Sequence, residues 1–145
     1  MPTYKNQHAI GRIPMPIPFD QAVVGERMEY NLTGIVLSLN DIVVLGYLPE
    51  DCRPVDLILD ADAMGGTASF QVGLLNAGQT DITGTPWLGT TSVVSATAAR
   101  ADVAGLRAMS RVPSAETPRA IGLKVTAATA NTTGNIGVTL LYRAT

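Results

Sequence analysis

Ala68-Ser69-Phe70-Gln71-Val72-Gly73-Leu74 decides the fold. Ala68, Phe70, Val72 and Leu74 alternate with Ser69, Gln71 and Gly73, a strict period of two. Successive side chains of a strand point to opposite faces, so this period predicts a half-buried strand with the first set inward. Turn-prone residues bound it on both sides: Met64-Gly65-Gly66 before, Asn76-Ala77-Gly78 after.

The same period recurs outward from that strand. Val55, Leu57 and Leu59 are set against Asp56 and Asp60, and Ile121, Leu123 and Val125 against Gly122, Lys124 and Thr126. Ile136, Val138, Leu140 and Tyr142 follow the polar turn Asn131-Thr132-Thr133-Gly134. Residues 30–39 and 42–48 are strand-like apolar runs, separated by Asn40-Asp41 and closed by Pro49-Glu50-Asp51. Residues 80–99 hold a single charge, Asp81, and the only tryptophan, Trp87. Residues 98–109 read two ways: the alanines and Leu106 suit a short helix, while the central Gly105 and the β-rich flanks oppose one. Seven or eight short strands without a βαβ rhythm predict an all-β, jelly-roll-like antiparallel β-sandwich.

Residues 1–27 differ in kind. Ile13-Pro14-Met15-Pro16-Ile17-Pro18-Phe19 alternates proline with apolar side chains. Proline lacks an N–H and fixes φ, so the run is neither a helix nor a central strand. An extended N-terminal arm over residues 1–27, followed by a sandwich domain over 28–145, is the expected organisation. Ile13, Met15, Ile17 and Phe19, with Lys5 and Arg12, are the candidate partner-binding residues. The arm either lies on a neighbouring subunit or folds back on its own domain.

A chain of 145 residues fits one domain with a core that needs no staples. Charged residues make up 15%, low against a typical ~25%, which points to a surface that ends against other subunits. A net charge of −2 argues against a dedicated nucleic-acid binder. No apolar stretch has the ~20 residues of a membrane span, and prolines interrupt any signal-like start. With Cys52 alone, neither an internal disulfide nor a cysteine-based zinc site can form.

Catalytic devices are scarce. His8, the only histidine, sits in the arm, where no third group is expected to hold it; a solvated or interface role is the expectation. Glu50 and Asp51 precede Cys52 and oppose thiolate formation, partly offsetting Arg53 after it, so a buried or idle thiol is expected. Asp56, Asp60 and Asp62 could hold calcium but lack a calcium-loop pattern, and a solvated strand edge is the plainer reading. No phosphate-cradling glycine motif occurs. Arg100, Arg107, Arg111 and Arg119 cluster in one region and suit a protein interface better than nucleic acid.

The order of these pieces carries a resemblance. Ile42-Val43-Val44-Leu45-Gly46-Tyr47-Leu48-Pro49 leads into Pro54-Val55-Asp56-Leu57-Ile58-Leu59-Asp60-Ala61-Asp62, then into the strand of residues 68–74, and residues 127–143 close the chain. Over roughly residues 28–143 this layout resembles the capsid decoration, or cement, proteins of tailed bacteriophages. The resemblance implies a non-enzymatic virion protein without cofactors, made in the host cytoplasm. Its partners would be the major capsid protein on the outer capsid surface and copies of itself, with no nucleic acid or membrane. A jelly-roll module of a phage fibre, recognising carbohydrate or a receptor, is the alternative, though few aromatics are available for sugar.

Overall fold

The computed structural model describes residues 2–18, 22–131 and 133–144. Strand β5 (Ser69–Leu74) realises the deciding pattern: Phe70 and Val72 are fully buried, and Ala68 just before it is too. It lies in a five-stranded sheet with β1 (Thr3–Lys5), β3 (Ile42–Leu48), β6 (Leu88–Ser92) and β8 (Arg119–Ala127), in the order β1-β3-β8-β5-β6. The second sheet has the order β2-β9-β4-β7, built from β2 (Val23–Asn31), β9 (Asn135–Ala144), β4 (Cys52–Ala61) and β7 (Thr97–Arg100). All neighbours are antiparallel except β1 and β3, which run parallel. The chain changes sheet at every connection except β5 to β6, as expected of a jelly-roll-like sandwich.

One core fills the space between the sheets. Val43, Phe70, Leu123 and Val125 meet Met28, Leu57, Leu59, Val138, Leu140 and Tyr142 there. Strand β3 is buried on both faces, which is why Ile42 to Leu45 reads as an unbroken apolar run. Its outer face, Ile42 and Val44, is covered by Leu75, Ala120, Ala9 and Ile82. That cover fits because Gly73 and Gly122 stand opposite each other in register. A Cβ on Gly122 would meet Leu75 at 2.5 Å, and one on Gly73 would meet Ile82 at 2.8 Å.

Several expectations are corrected. Val55 does not point inward with Leu57 and Leu59; it is 37% exposed. A bulge between Pro54 and Asp56 shifts the pairing with β9 by one residue, so Cys52 and Pro54 face in before it and Leu57 and Leu59 after it. Residues 30–39 are not one strand: β2 ends at Asn31, and residues 32–41 form a loop pinned by buried Leu32 and Leu37. The loop's N–H groups find partners outside any ladder, as Leu37 does with the Thr129 hydroxyl at 3.0 Å. Within residues 98–109 both readings hold in turn: β7 ends at Arg100 and helix α1 (Val103–Ser110) follows. Asp102 caps the helix by accepting from the Gly105 N–H at 2.7 Å. Gly105 is there for space, since a Cβ would sit 1.7 Å from the Trp87 carbonyl oxygen.

Candidate partner-binding surface

The N-terminal segment has a defined course. β1 extends the first sheet beside β3, with Thr3 opposite Ile42 and Lys5 opposite Val44. Asn6 then turns the chain: its side-chain oxygen accepts from the Ala9 N–H at 2.9 Å, and its backbone carbonyl from the Ile10 N–H at 3.1 Å. Gly11, at φ 81°, takes the left-handed conformation that glycine adopts without strain. The proline run returns toward the second sheet, where the Tyr142 hydroxyl donates to the Pro16 carbonyl. The described segment therefore lies along its own domain, at the side where β3 and β2 meet.

His8 anchors this course; of the solvated or interface role expected for it, the solvated one is corrected. It is buried, and its Nε2 lies 2.7 Å from a carboxylate oxygen of Glu26 on β2. Gly46 makes the room. A Cβ there would meet the Met28 sulfur at 2.7 Å, the Met15 sulfur at 3.3 Å and the His8 Cβ at 3.4 Å. Glu26 and Gly46 escape sequence reading because their contacts join distant positions, 18 residues apart for His8 and Glu26. The one available signal was Gly46 inside an apolar strand, which marks a bulge or a close approach; the β3–β8 register does shift between Val44 and Gly46.

The six residues singled out in the segment separate by side. Met15 is half-buried against the core. Ile13 and Ile17 are 42% and 79% exposed, and Lys5 and Arg12 are exposed as well. Phe19 lies outside the described residues. Ile13, Pro14, Met15 and Ile17 line an open cavity of about 330 Å³ with Tyr47 and Pro118. The outcome is an apolar patch that includes Glu50, while Lys5 lines a separate cavity with Arg27 and Glu29.

The other candidate groups are placed as follows. Asp60 takes Arg27 in a two-pronged contact at 2.6 and 3.1 Å, while Glu29 takes its remaining nitrogen. Asp56 pairs with Arg100 at 2.6 Å, and Asp62 accepts from the Asn135 N–H at 2.9 Å. Among the described residues no three His, Cys, Asp or Glu side chains gather as a metal site. Cys52 is buried at the start of β4; burial first, and then the Asp51 charge, push its thiol pKa up, against a smaller pull from Arg119. Arg119 donates to the carbonyls of Pro113 and Cys52. Arg107 and Arg111 are exposed and form no ion pair among the described residues.

No protein-family model matches the sequence, and no curated protein matches it. Solved structures do. A chain in the capsid of Ralstonia phage GP4 is similar with a TM-score of 0.83 and 26% identity over 99% of each chain. A chain of the cyanophage Pam1 capsid asymmetric unit shares the fold at a TM-score of 0.56 and 18% identity, over 93% of this chain and 94% of that one. A chain in the acidic stable capsid structure of Helicobacter pylori bacteriophage KHP30 does so at 0.51 and 16%, over 85% and 89%. Both sheets and helix α1 lie inside the stretch that resembles the GP4 capsid chain, so this all-β sandwich is similar along its whole course to a chain of a phage capsid, and the likeness points to a phage capsid-related protein.

Proposed function

We propose that the chain is a structural virion protein that binds the outside of an assembled phage capsid and clamps neighbouring subunits. The observation that carries this reading is the likeness, over 99% of both chains, to a chain of the GP4 capsid. Its partners are the major capsid protein and further copies of itself. Binding only the assembled state stabilises that state by mass action, and many identical contacts add through avidity.

The contact surface we assign is the outer side of the N-terminal segment. Ile13 and Ile17 supply the apolar contact, the exposed Lys5 and Arg12 meet acidic groups of the partner, and Met15 holds the segment to its own core. Burying an isoleucine contributes up to ~1.5–3 kcal/mol before ordering costs. A segment already packed in place has little ordering cost left.

The test has two parts. Mass spectrometry of purified phage particles should find the chain in copy numbers comparable to those of the main shell subunit; a few copies per particle would refute decoration. Purified protein added to particles lacking it should rebind. Ile13→Asp with Ile17→Asp should weaken rebinding about tenfold or more, since each 1.4 kcal/mol is a factor of ten. Undiminished rebinding by that folded variant would move the contact surface elsewhere.

A further inference from the structure

A second surface, separate from the N-terminal segment, is built around helix α1. An open groove of about 480 Å³ runs between the helix and the loop of residues 83–87. Its floor is apolar: Leu74, Trp87, Ala108 and Val112 are buried or half-buried. Its rim is polar and exposed, with Arg107 and Arg111 on the helix side and Thr83 and Thr85 on the loop side. A hydrophobic floor inside a polar rim is the usual anatomy of a protein-binding patch. The floor is also fixed in position, because Gly105 seats the helix directly on the Trp87 carbonyl.

The charges on the rim are unanswered. Arg27 and Arg100 each meet carboxylates, Lys124 meets Asp81, and Arg119 meets two carbonyls. Arg107 and Arg111 meet no acid among the described residues, although they stand four apart at the C-terminal end of α1, Arg111 as its cap, where like charges repel. One cation at the last turn complements the helix dipole; that accounts for Arg107 or Arg111 but not for both flanking a groove. Arg53 and Arg143 add to the field on the other side of the helix end. They face each other in register across β4 and β9 and line a smaller cavity with Met109 and Ser110. The Arg53 Nε is buried and has no hydrogen-bond partner.

We infer that this groove docks a carboxylate-rich segment of another protein, with Arg107 and Arg111 gripping its acids and the floor taking its apolar side chains. Guanidinium forks match carboxylates in two-pronged geometry. Nucleic acid fits less well, because Trp87 is only 2% exposed and offers no face for a base to stack on. The inference goes beyond the capsid-binding role and is tested on the protein alone, so either can fail without the other.

Trp87, the only tryptophan, lines the groove and reports on it. The full chain is titrated with the peptide acetyl-Glu-Leu-Glu-Glu-Leu-Glu-amide, with its all-Gln counterpart, with inorganic phosphate and with a short oligothymidylate. The expected result is a saturable change in Trp87 emission with the Glu peptide only, weakening as salt rises. Arg107→Gln with Arg111→Gln should weaken it about tenfold or more, while Arg27→Gln leaves it unchanged. Circular dichroism checks folding, and Arg111→Gln alone, at the helix C-cap, serves if the double variant unfolds. Four outcomes would overturn the inference. The Gln peptide binds equally well; phosphate alone reproduces the change, an adventitious ion only; oligothymidylate displaces the peptide; or sedimentation shows self-association that the double variant abolishes, which makes a second copy the occupant.

Discussion

Gly105 is the third residue of helix α1, and glycine within a helix costs up to about 1 kcal/mol against alanine. On an isolated helix, Gly105→Ala would therefore stabilise. Here the added methyl would stand 1.7 Å from the Trp87 carbonyl oxygen, so the helix has to move off its seat. Overpacking of this kind costs about 1–3 kcal/mol. The expected result is a lower urea midpoint for Gly105→Ala, and a raised one would mean that α1 does not rest on Trp87. The same residue shows where sequence reading stops. Gly105 spoke against a helix because its reason for being glycine lies on a different element. His8 is a parallel case: its setting depends on Glu26 and Gly46, which no local pattern joins to it.

Strands with strict alternation were legible, because burial on one face writes itself into every second residue. Phe70, Leu123 and Val138 are fully buried as their patterns require. Phe70→Asp should abolish folding, since an unpaired charge in the core costs several kcal/mol; a cooperative thermal transition in that variant would contradict the assigned face. Legibility fails where the period breaks. The bulge in β4 turns Val55 outward, and alternation alone gives no sign of an extra residue. The 32–41 loop is apolar because Leu32 and Leu37 are core residues held on irregular backbone. The N-terminal segment misleads in a third way. Its prolines do exclude a ladder, yet Thr3 to Lys5 before them form β1, and Met15 and His8 reach the interior. Deleting residues 2–18 uncovers Met28 and leaves Glu26 without its partner. The truncated chain should melt about 5 °C or more below the full one in calorimetry, given that each kcal/mol shifts Tm by several degrees. An unchanged melting temperature would show that the segment adds nothing to its own domain.

For the molecule as a whole, alkaline pH is the weak side. Burial raises the pKa of the Cys52 thiol above its ordinary 9.0 and that of the Tyr142 phenol above its ordinary 10.0. Above about pH 9 the unfolded chain therefore binds fewer protons than the folded one, and stability falls as pH rises. Below that both groups are protonated in either state and contribute no slope. The urea midpoint should decline from about pH 9 upward, and Cys52→Ser should remove the earliest part of the decline. A midpoint that holds level to pH 11 would mean that these groups are open to water in the folded protein.

The place of β9 sets a timetable for synthesis. It lies between β2 and β4, pairing with both along its length, yet it is the last strand in the chain order. Until residues 135–144 have left the ribosome, nothing joins β2 to β4, and the second sheet exists only as the β4–β7 pair and a lone β2. The nascent chain must then remain open while more than a hundred residues wait, with the apolar faces of Met28, Leu57 and Leu59 unprotected. A translation pause placed just before residue 135 should leave a chain that proteases cut freely. A chain held on the ribosome by an added C-terminal linker, long enough for β9 to emerge from the exit tunnel, should resist them.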